Sequence, residues 1–395
     1  MKNKLIFEFS KNKTDGDSSL NNLLGGKGAN LAEMSNMEIP VPPGFTITTE
    51  VCNYFTENKN LPNSLDNEIR QAVSKLENLS DKCFGGEGTP LLLSVRSGGR
   101  VSMPGMMDSI LNIGLNDSNV SQLAEAFNDE RFALDSYRRL IQMYSNVVLG
   151  VEHERFEAVL ANKKRMDNVV SDADFNVDQL NWIINAYKNT VERFTDSLFP
   201  QEPYEQLTGA IEAVFNSWQN KRAATYRKIN NIPDSWGTGA TIQTMVFGNL
   251  NDKSGTGVAF TRNPSNGDKE LYGEYLINAQ GEDVVAGIRT PHPITKHSKV
   301  EQESLESKFP KAYKELLEIS TKLENHFKEA QDIEFTIENG VIYLLQTRTA
   351  KRTAQASVKI AIDMQKEGVV SKEEALTMVD ANSITNLLHP QFVDS

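Results

Sequence analysis

The sequence predicts an α+β fold with two sheet-containing lobes, an inserted helical subdomain and a C-terminal helical linker. Two observations support this. A chain of 395 residues is long for one core and suggests roughly two or three domains. Strand and helix patterns mix at first, give way to helices alone, and mix again after Pro233. We therefore predict lobe one at 1–115 and 207–254, a helical insert at 116–206, lobe two at 255–351 and the linker at 352–395.

The individual elements follow from hydrophobic periodicity and end signals. Lobe one has strands at 5–9, 45–48 and 91–95, with helices after Lys27 and at 50–58 and 64–79. The insert has helices at 121–127, 132–148 and 179–194. Further strands are predicted at 241–247, 257–262 and 272–278, before a helix at 310–329 and a hairpin. In the tail, a helix at 353–367 stops at Gly368, and Ser371 with Glu374 forms a capping box for a shorter one.

Composition excludes several classes of function. Hydrophobic residues make up 39% and charged residues 24%, as in folded proteins. The net charge of -12 argues against nucleic acid and anionic membranes as partners. An acidic protein can still bind nucleotides through a local basic group and a metal ion. Two unpaired cysteines fit a reducing compartment, and no stretch suits a signal peptide or a membrane span, so we expect a cytoplasmic protein.

The most informative segment is the hairpin at residues 331–348. Its first strand alternates, so Asp332 and Glu334 share one face while apolar residues share the other. A two-residue turn at Asn339 and Gly340 would mix polar and apolar residues on both faces. We therefore predict a three-residue loop, 338–340, which pairs Ile337 with Val341, Phe335 with Tyr343 and Ile333 with Leu345.

This hairpin would present Asp332, Glu334, Gln346 and Arg348 together. Two carboxylates and an amide offer oxygen ligands to a hard divalent ion, and a guanidinium suits phosphate oxygens. The pattern is typical of a site for a metal and a nucleotide. The alternative is an exposed hairpin with a polar outer face, and the hairpin alone does not decide between them.

Two glycine-rich segments of lobe one could hold phosphate. In GGKGANLAEM, at 25–34, glycines flank Lys27 before a helix begins, so the lysine and the first backbone amides can meet one anion. The alternative is a glycine turn with a solvated lysine, since the Walker A spacing is missing. In SVRSGGRVSMPGMMD, at 94–108, Arg96 opens a loop that could lie over a triphosphate, where a bidentate guanidinium would stabilise charge on the transferred group.

Lobe two offers further contacts. Gly255, Thr256 and Gly257 precede a strand, and their small size would let the backbone approach phosphates, although a plain hairpin turn explains them equally well. Glu274 and Glu282 could hold a ribose hydroxyl or an outer metal water. A charge on an edge strand is the alternative for each.

The segment Gln243 to Val246 is a candidate edge for adenine. Its backbone would read the base and Met245 would pack on the face of the ring, whereas the alternative is a buried strand.

Phosphate loops on one lobe and a metal hairpin on the other place a nucleotide between the lobes. Phosphoryl transfer needs positioning and charge neutralisation, and these residue types provide both.

Several motifs resemble the nucleotide-binding part of the pyruvate, phosphate dikinase family. They cover nearly the whole chain: GGKGANLAEM, PVPPGFTITTE, SVRSGGRVSMPGMMDSILNIGLND, SYRRLIQMYS, QTMVFGN, SGTGVAFTRNP, GEYLINAQGEDVVAGIRTP and DIEFTIENGVIYLLQTR. The related phosphoenolpyruvate synthases share the GGKG and QTR elements, but SMPGMMD looks specific to the dikinases. Gly99, Thr349 and Ala350 depart from the usual family residues, and none of them is a charged contact.

The resemblance implies an ATP-grasp fold, with ATP and Mg²⁺ in a nucleotide cleft between the two lobes. It implies nucleotide and phosphate contacts, with catalytic roles, for Lys27, Arg96 and Arg348. It also implies that Asp332, Glu334 and Gln346 hold the metal. In the full enzyme, a homodimer by expectation, the phosphates pass to a histidine on a separate domain, and ATP, phosphate and pyruvate become AMP, pyrophosphate and phosphoenolpyruvate.

The sequence therefore favours an ATP-binding, phosphoryl-donating fragment that lacks the phosphohistidine and pyruvate domains. Two alternatives stay open. One is a non-catalytic module that senses ATP. The other is the nucleotide domain of a phosphoenolpyruvate synthase, which uses water in place of phosphate.

Overall fold

A computed structural model describes residues 4–103, 105–287, 289–296 and 303–385. The chain divides into two compact units: unit 1 contains the chain up to Glu38 and from Pro42 to Met245, and unit 2 contains Ile39–Val41 and the chain from Val246 onward. Each unit has a five-stranded antiparallel sheet accompanied by helices, which confirms the predicted α+β class. The sequence pattern placed the boundary between the lobes at 254/255. Residues 386–395 of the predicted linker lie outside the described residues.

The sheet of unit 1 has the strand order β1-β2-β5-β3-β4. Its strands are β1 (Ile6–Phe9), β2 (Gly44–Ile47), β3 (Leu93–Gly99), β4 (Ser109–Ile113) and β5 (Thr238–Thr244). Every residue of β2 and β5 is buried, as expected for strands inside a sheet. Strand β3 extends through Gly99, four residues beyond its predicted end, and pairs with β5 along its whole length.

Nine helices belong to the described part of unit 1. They are α1 (Asn21–Asn36), α2 (Thr49–Asn58), α3 (Leu65–Ser80), α4 (Val120–Phe127), α5 (Glu130–Val147), α6 (His153–Asp167), α7 (Val177–Thr195), α8 (Pro203–Ser217) and α9 (Lys221–Ile229). Side chains cap the longest insert helices: Asp129 accepts the Phe132 N–H in α5, and Asn176 forms a capping box with Gln179 in α7. The predicted helices are confirmed within a few residues at their ends.

Glycines allow α1 to lie directly on the sheet of unit 1. Gly25 has φ 69° and ψ 164°, so the helix is broken there and resumes before Lys27. A Cβ atom would collide with a neighbour at each of three glycines: at Gly25 it would lie 1.7 Å from the Gly98 oxygen, at Gly28 2.7 Å from the Thr46 side chain, and at Gly239 2.7 Å from the Leu24 oxygen. The helix backbone therefore touches β2, β3 and β5.

Unit 2 has the strand order β10-β9-β6-β7-β8. Its strands are β6 (Gly255–Phe260), β7 (Tyr272–Ile277), β8 (His292–Pro293), β9 (Gln331–Glu338) and β10 (Val341–Thr349). Its helices are α10 (Gly281–Ala286), α11 (Leu305–Lys308), α12 (Pro310–Phe327), α13 (Ala354–Lys366), α14 (Lys372–Thr377) and α15 (Ala381–Thr385). No helix in the described ranges of either unit is long and apolar enough to cross a bilayer.

The tail helix α13 is held in unit 2 by ion pairs and by apolar packing. Arg262, with no exposed surface, donates to both Glu324 of α12 and Glu367 at the end of α13. Ala356, Ile360 and Met364 of α13 belong to a buried apolar cluster. The predicted capping box of Ser371 and Glu374 is confirmed at the start of α14.

The hairpin of β9 and β10 corrects the predicted loop. Glu338 pairs with Val341, so the turn has two residues, Asn339 and Gly340, and the predicted three-residue loop is wrong. Both turn residues have positive φ, 49° and 79°, which is the geometry of a type I′ turn and matches the twist of the strands.

A β-bulge restores the polar face of the hairpin. Without it, the two-residue turn would mix polar and apolar side chains on both faces. The pairing shifts between Leu344 and Gln346, which leaves Leu345 as the extra residue. Ile342, Leu344 and Thr347 therefore face the core, in place of the predicted Val341, Tyr343 and Leu345. The Leu344 N–H donates to the Pro40 oxygen at 2.8 Å, so the edge strand β10 is bonded to Ile39–Val41 at the bulge.

The contact between α1 and the sheet gives a test. Gly25→Ala should lower the free energy of unfolding by about 2–4 kcal/mol, because the new Cβ would meet a backbone oxygen and the residue would be strained at its positive φ. Gly26→Ala is the matched control, since its nearest neighbour would be 3.5 Å away. It should leave stability unchanged or raise it by up to about 1 kcal/mol. Urea unfolding of the two variants measures the difference, and equal effects would contradict the described packing.

Candidate functional site

One face of the unit 2 sheet collects acidic and amide side chains in a row across four strands. Gln346 pairs with Glu334, Glu334 pairs with Val258, and Val258 pairs with Glu274. Directly paired residues point to the same face of a sheet, and neighbouring strands lie about 4.8 Å apart. Glu334 and Gln346 are therefore adjacent, and the exposed Glu274 lies about 10 Å from Glu334 on the same face.

The neighbouring row contains the charged pair of the hairpin. Arg348 pairs with Asp332, and its Nε donates to Asp332 Oδ2 at 2.7 Å. Asp332 is only 7% exposed. Burial raises the pKa of the Asp332 carboxyl, the nearby charge of Glu334 adds to the rise, and Arg348 opposes it. A proton therefore competes for this carboxylate at higher pH than for an ordinary aspartate, and a bound cation would favour the charged form.

The chemistry of these residues is compatible with a magnesium ion that takes its remaining ligands from water or phosphate. Asp332 and Glu334 supply carboxylate oxygens and Gln346 an amide oxygen on one face. In the described ranges, no group of three or more His, Cys, Asp or Glu side chains could hold a metal alone. Mg²⁺ commonly takes only one or two carboxylates and completes its octahedron with water and substrate phosphates. The geometry thus brings together the four hairpin residues that the sequence singled out.

Gly255, Thr256 and Gly257 are not in a loop, as the sequence suggested, but are the first three residues of β6. They are buried and paired on both sides, with β7 and β9. A Cβ at Gly257 would lie 2.7 Å from the Phe335 ring and 2.6 Å from the Glu274 oxygen, so packing requires the glycine. The Thr256 hydroxyl donates to the Phe335 oxygen at 3.0 Å.

Glu282 occupies a different element from Glu274. It is half-buried in the first turn of α10, the short helix that follows β7. Beside it, Asp283 accepts the Gln280 N–H at 2.8 Å and caps the helix. Glu282 is therefore not an edge-strand charge, which was the alternative explanation from the sequence.

Lys27 and Arg96, which belong to separate motifs, are brought together on unit 1. Arg96 lies inside β3 rather than in a loop, because the strand continues to Gly99. Gly98, two residues further on the same face, would place a Cβ only 3.3 Å from the Lys27 Cβ. A lysine and an arginine on one glycine-lined surface can bind an anion such as phosphate.

Gln243 positions Arg96. Its Oε1 accepts from Arg96 Nη2, and its Nε2 donates to the Pro42 oxygen at 2.8 Å. Only 1% of Gln243 is exposed, so its side chain is buried as the alternative explanation expected. The guanidinium is consequently held by a partner that is itself fixed in the core.

The candidate adenine edge continues from β5 into an irregular segment. The Met245 N–H donates to the Leu92 oxygen at 2.9 Å. Met245 and Val246 are both half-buried, and the division between the two units falls between them. The residue after them, Phe247, donates its N–H to Glu338 Oε2 at 2.6 Å.

Sequence reasoning missed Glu338 and the prolines at 40 and 42. Glu338 lies next to the turn, where a charged residue normally indicates solvent, and no local pattern distinguishes it. The PVPPG segment predicted only a stiff turn, yet its carbonyls accept from Leu344 in unit 2 and from Gln243 in unit 1. These two proline contacts each join residues about 200 or more positions apart in the sequence. Hydrophobic periodicity is a local pattern and cannot detect them.

Comparison with known proteins identifies the family. The family "Pyruvate phosphate dikinase, AMP/ATP-binding domain" matches residues 21–84, 58–312 and 295–369. Pyruvate, phosphate dikinases from Rhizobium meliloti and Rickettsia prowazekii are 50% and 52% identical over 98% of this chain, and each is covered to 44% of its length. The enzyme from Clostridium symbiosum is 50% identical over 98% of the chain and is covered to 43%.

The chain thus spans less than half the length of these relatives, which are phosphotransferases by name. The family match, with two antiparallel five-stranded sheets and many helices, confirms the predicted α+β class of the ATP-grasp kind. From the match over most of its length, the chain belongs to the AMP/ATP-binding domain family of pyruvate phosphate dikinases.

Proposed function

We propose that this chain binds ATP with magnesium and donates a phosphoryl group to a histidine on a separate domain. The observation that carries the proposal is the register of the β9–β10 hairpin, which puts Asp332, Glu334, Gln346 and Arg348 on one face. Family membership supports the choice of an adenine nucleotide.

In unit 2, Asp332, Glu334 and Gln346 would hold Mg²⁺, which when bound neutralises charge on the phosphate oxygens. Arg348 would bind the phosphates directly. Its Nε donates to Asp332 Oδ2, which restricts the orientation of the guanidinium, and its two terminal nitrogens carry further N–H groups that would donate to phosphate oxygens. A preoriented donor needs little reorganisation when charge develops on the transferred group.

In unit 1, Lys27 and Arg96 would contact the phosphates. Lys27 acts as a point charge, whereas Arg96 is held by Gln243 and offers a planar fork. Together with Arg348 they are the residues we assign to catalysis. Their contribution is electrostatic, since phosphoryl transfer asks little covalent chemistry of the protein.

Base contacts are assigned to Met245 and Val246, and ribose contacts to Glu274 and Glu282. Gln243 would act through Arg96 and Pro42 rather than on the base, because its side chain is buried. Gly255, Thr256 and Gly257 would meet phosphate only through the face of β6, since both edges of that strand are paired.

By extension from its relatives, we propose that the chain supplies the nucleotide half-reaction of pyruvate, phosphate dikinase. The complete reaction would convert ATP, phosphate and pyruvate to AMP, pyrophosphate and phosphoenolpyruvate. A cytoplasmic, homodimeric full-length enzyme belongs to the same proposal. We also propose that residues 1–115 with 207–254 and residues 255–351 act as the two functional lobes, 116–206 as an insert and 352–395 as a linker.

Binding measurements test the hairpin assignment. Glu334→Gln and Arg348→Ala should each weaken MgATP binding by roughly 10- to 100-fold, because a charge-assisted contact contributes about 1.5–3 kcal/mol. Glu318→Gln, an exposed change on α12, is the control and should bind as the wild type does. Isothermal titration calorimetry with magnesium, and again with EDTA, gives the affinities. Wild-type affinity in both hairpin variants would contradict the site.

A transfer assay separates phosphoryl donation from the alternatives. The histidine domain of a related dikinase is supplied with this chain, magnesium, phosphate and ATP labelled in both its β- and γ-phosphates, because one of these phosphates leaves in pyrophosphate and the other stays on the histidine. Label should pass to the histidine domain, and Arg348→Ala should reduce transfer far more than it reduces stability.

A folded chain that binds ATP and transfers no label would favour the sensing module. Transfer followed by turnover that does not depend on phosphate in the assembled enzyme would favour a phosphoenolpyruvate synthase.

A further inference from the structure

The tip of the hairpin is bonded to the segment that follows the candidate adenine edge. Four hydrogen bonds join residues 338–340 to residues 247–254, all within unit 2: Phe247 N–H to Glu338 Oε2 at 2.6 Å, Asn339 N–H to Ser254 Oγ at 3.0 Å, Gly340 N–H to the Lys253 oxygen at 2.8 Å, and Asn251 Nδ2 to Asn339 Oδ1 at 2.7 Å.

The bond from Phe247 to Glu338 differs from the other three. Its acceptor is a carboxylate, and charge-assisted bonds are roughly twice as strong as neutral ones. Phe247 is only 2% exposed, so removal of the carboxylate would take a charged acceptor from a donor in a buried residue. The bond also lies next to Val246, whereas the other three lie four or more residues further along the chain.

We propose that Glu338 determines base selectivity by positioning the backbone of Val246 and Phe247. This inference rests on the proposed function, in which Met245 and Val246 read adenine. A backbone that reads the edge of a base must be held still, since a small displacement misaligns the hydrogen bonds. Glu338 holds it through one strong bond and is a positioning residue, without a contact of its own to the nucleotide.

The same hairpin then has two separable functions. Glu338 lies four residues along β9 from Glu334, which is about 13 Å at 3.3 Å per residue. The residues assigned to metal and phosphate are near the base of the hairpin and the bond to Phe247 is at its tip. Loss of the tip bond should therefore affect recognition of the base and leave phosphate binding intact.

The experiment compares ligands with and without the base. Wild type, Glu338→Ala, Glu338→Gln and the control Glu318→Ala are titrated with the magnesium complexes of ATP, GTP and inorganic tripolyphosphate. Glu338→Ala should weaken ATP binding about tenfold and reduce the preference for ATP over GTP, because a buried N–H loses its acceptor. Its affinity for tripolyphosphate should stay within about twofold of wild type.

Glu338→Gln keeps an acceptor oxygen and the shape of the side chain, so it keeps the variant series informative if the alanine variant folds poorly. It should lose about two- to fourfold in ATP affinity, again with tripolyphosphate unchanged. The control Glu318→Ala should match wild type for all three ligands. Asn339→Gly, which removes a different tip bond and tolerates the positive φ of the turn, should keep the preference for ATP.

The outcomes separate this inference from the proposed function. If Glu338 variants lose ATP and tripolyphosphate equally, Glu338 serves the fold of the hairpin and the inference is wrong. If wild type prefers ATP and the Glu338 variants keep that preference, the inference alone fails. If wild type binds GTP or tripolyphosphate as well as ATP, the assignment of the adenine edge fails and the inference fails with it.

Discussion

The pairing of β9 with β10 is the constraint on which the candidate site depends. A two-residue turn fixes the register at the tip, and the extra residue Leu345 then shifts it by one before Gln346. Because side chains alternate along a strand, this shift decides whether Gln346 and Arg348 join Glu334 and Asp332 or face the core. The bulge therefore reconciles a favourable turn with an apolar inner face and a polar outer one.

The polar face also has an electrostatic signature. Asp332 is buried beside a second carboxylate, and its pKa is raised despite the bond from Arg348. A fold that needed only stability would seldom place a carboxylate where its charged form is disfavoured, and perturbed carboxylates are common at functional sites. In unit 1, the close approach of α1 to the sheet depends on Gly25, Gly28 and Gly239, and it brings Lys27 beside the strand that contains Arg96. In each unit a backbone feature thus brings the charged groups together: the bulge of β10 in unit 2 and the glycine contacts of α1 in unit 1.

Residue types and periodicity singled out the residues of the candidate site, but they did not predict how the fold brings those residues together. The alternation of β9 indicated Asp332 and Glu334, and flanking glycines indicated Lys27, because these are local features. The register of the hairpin, the extension of β3 past Arg96 and the burial of Gly255 and Gly257 in β6 depend on partners distant in sequence. The role of Gln243 in holding Arg96 is of the same kind, since it follows from the pairing of β3 with β5.

Paramagnetic broadening measures directly whether a metal–nucleotide complex lies on the polar face of the hairpin. Mn²⁺ with a non-hydrolysable ATP analogue broadens nearby NMR signals, and the side-chain amide of Gln346 can be compared with that of Gln365 on α13. Strong broadening of the Gln346 amide and little change at Gln365 are expected if the metal lies on this face. Equal broadening of the two amides, or a sharp Gln346 signal at saturating nucleotide, would contradict it.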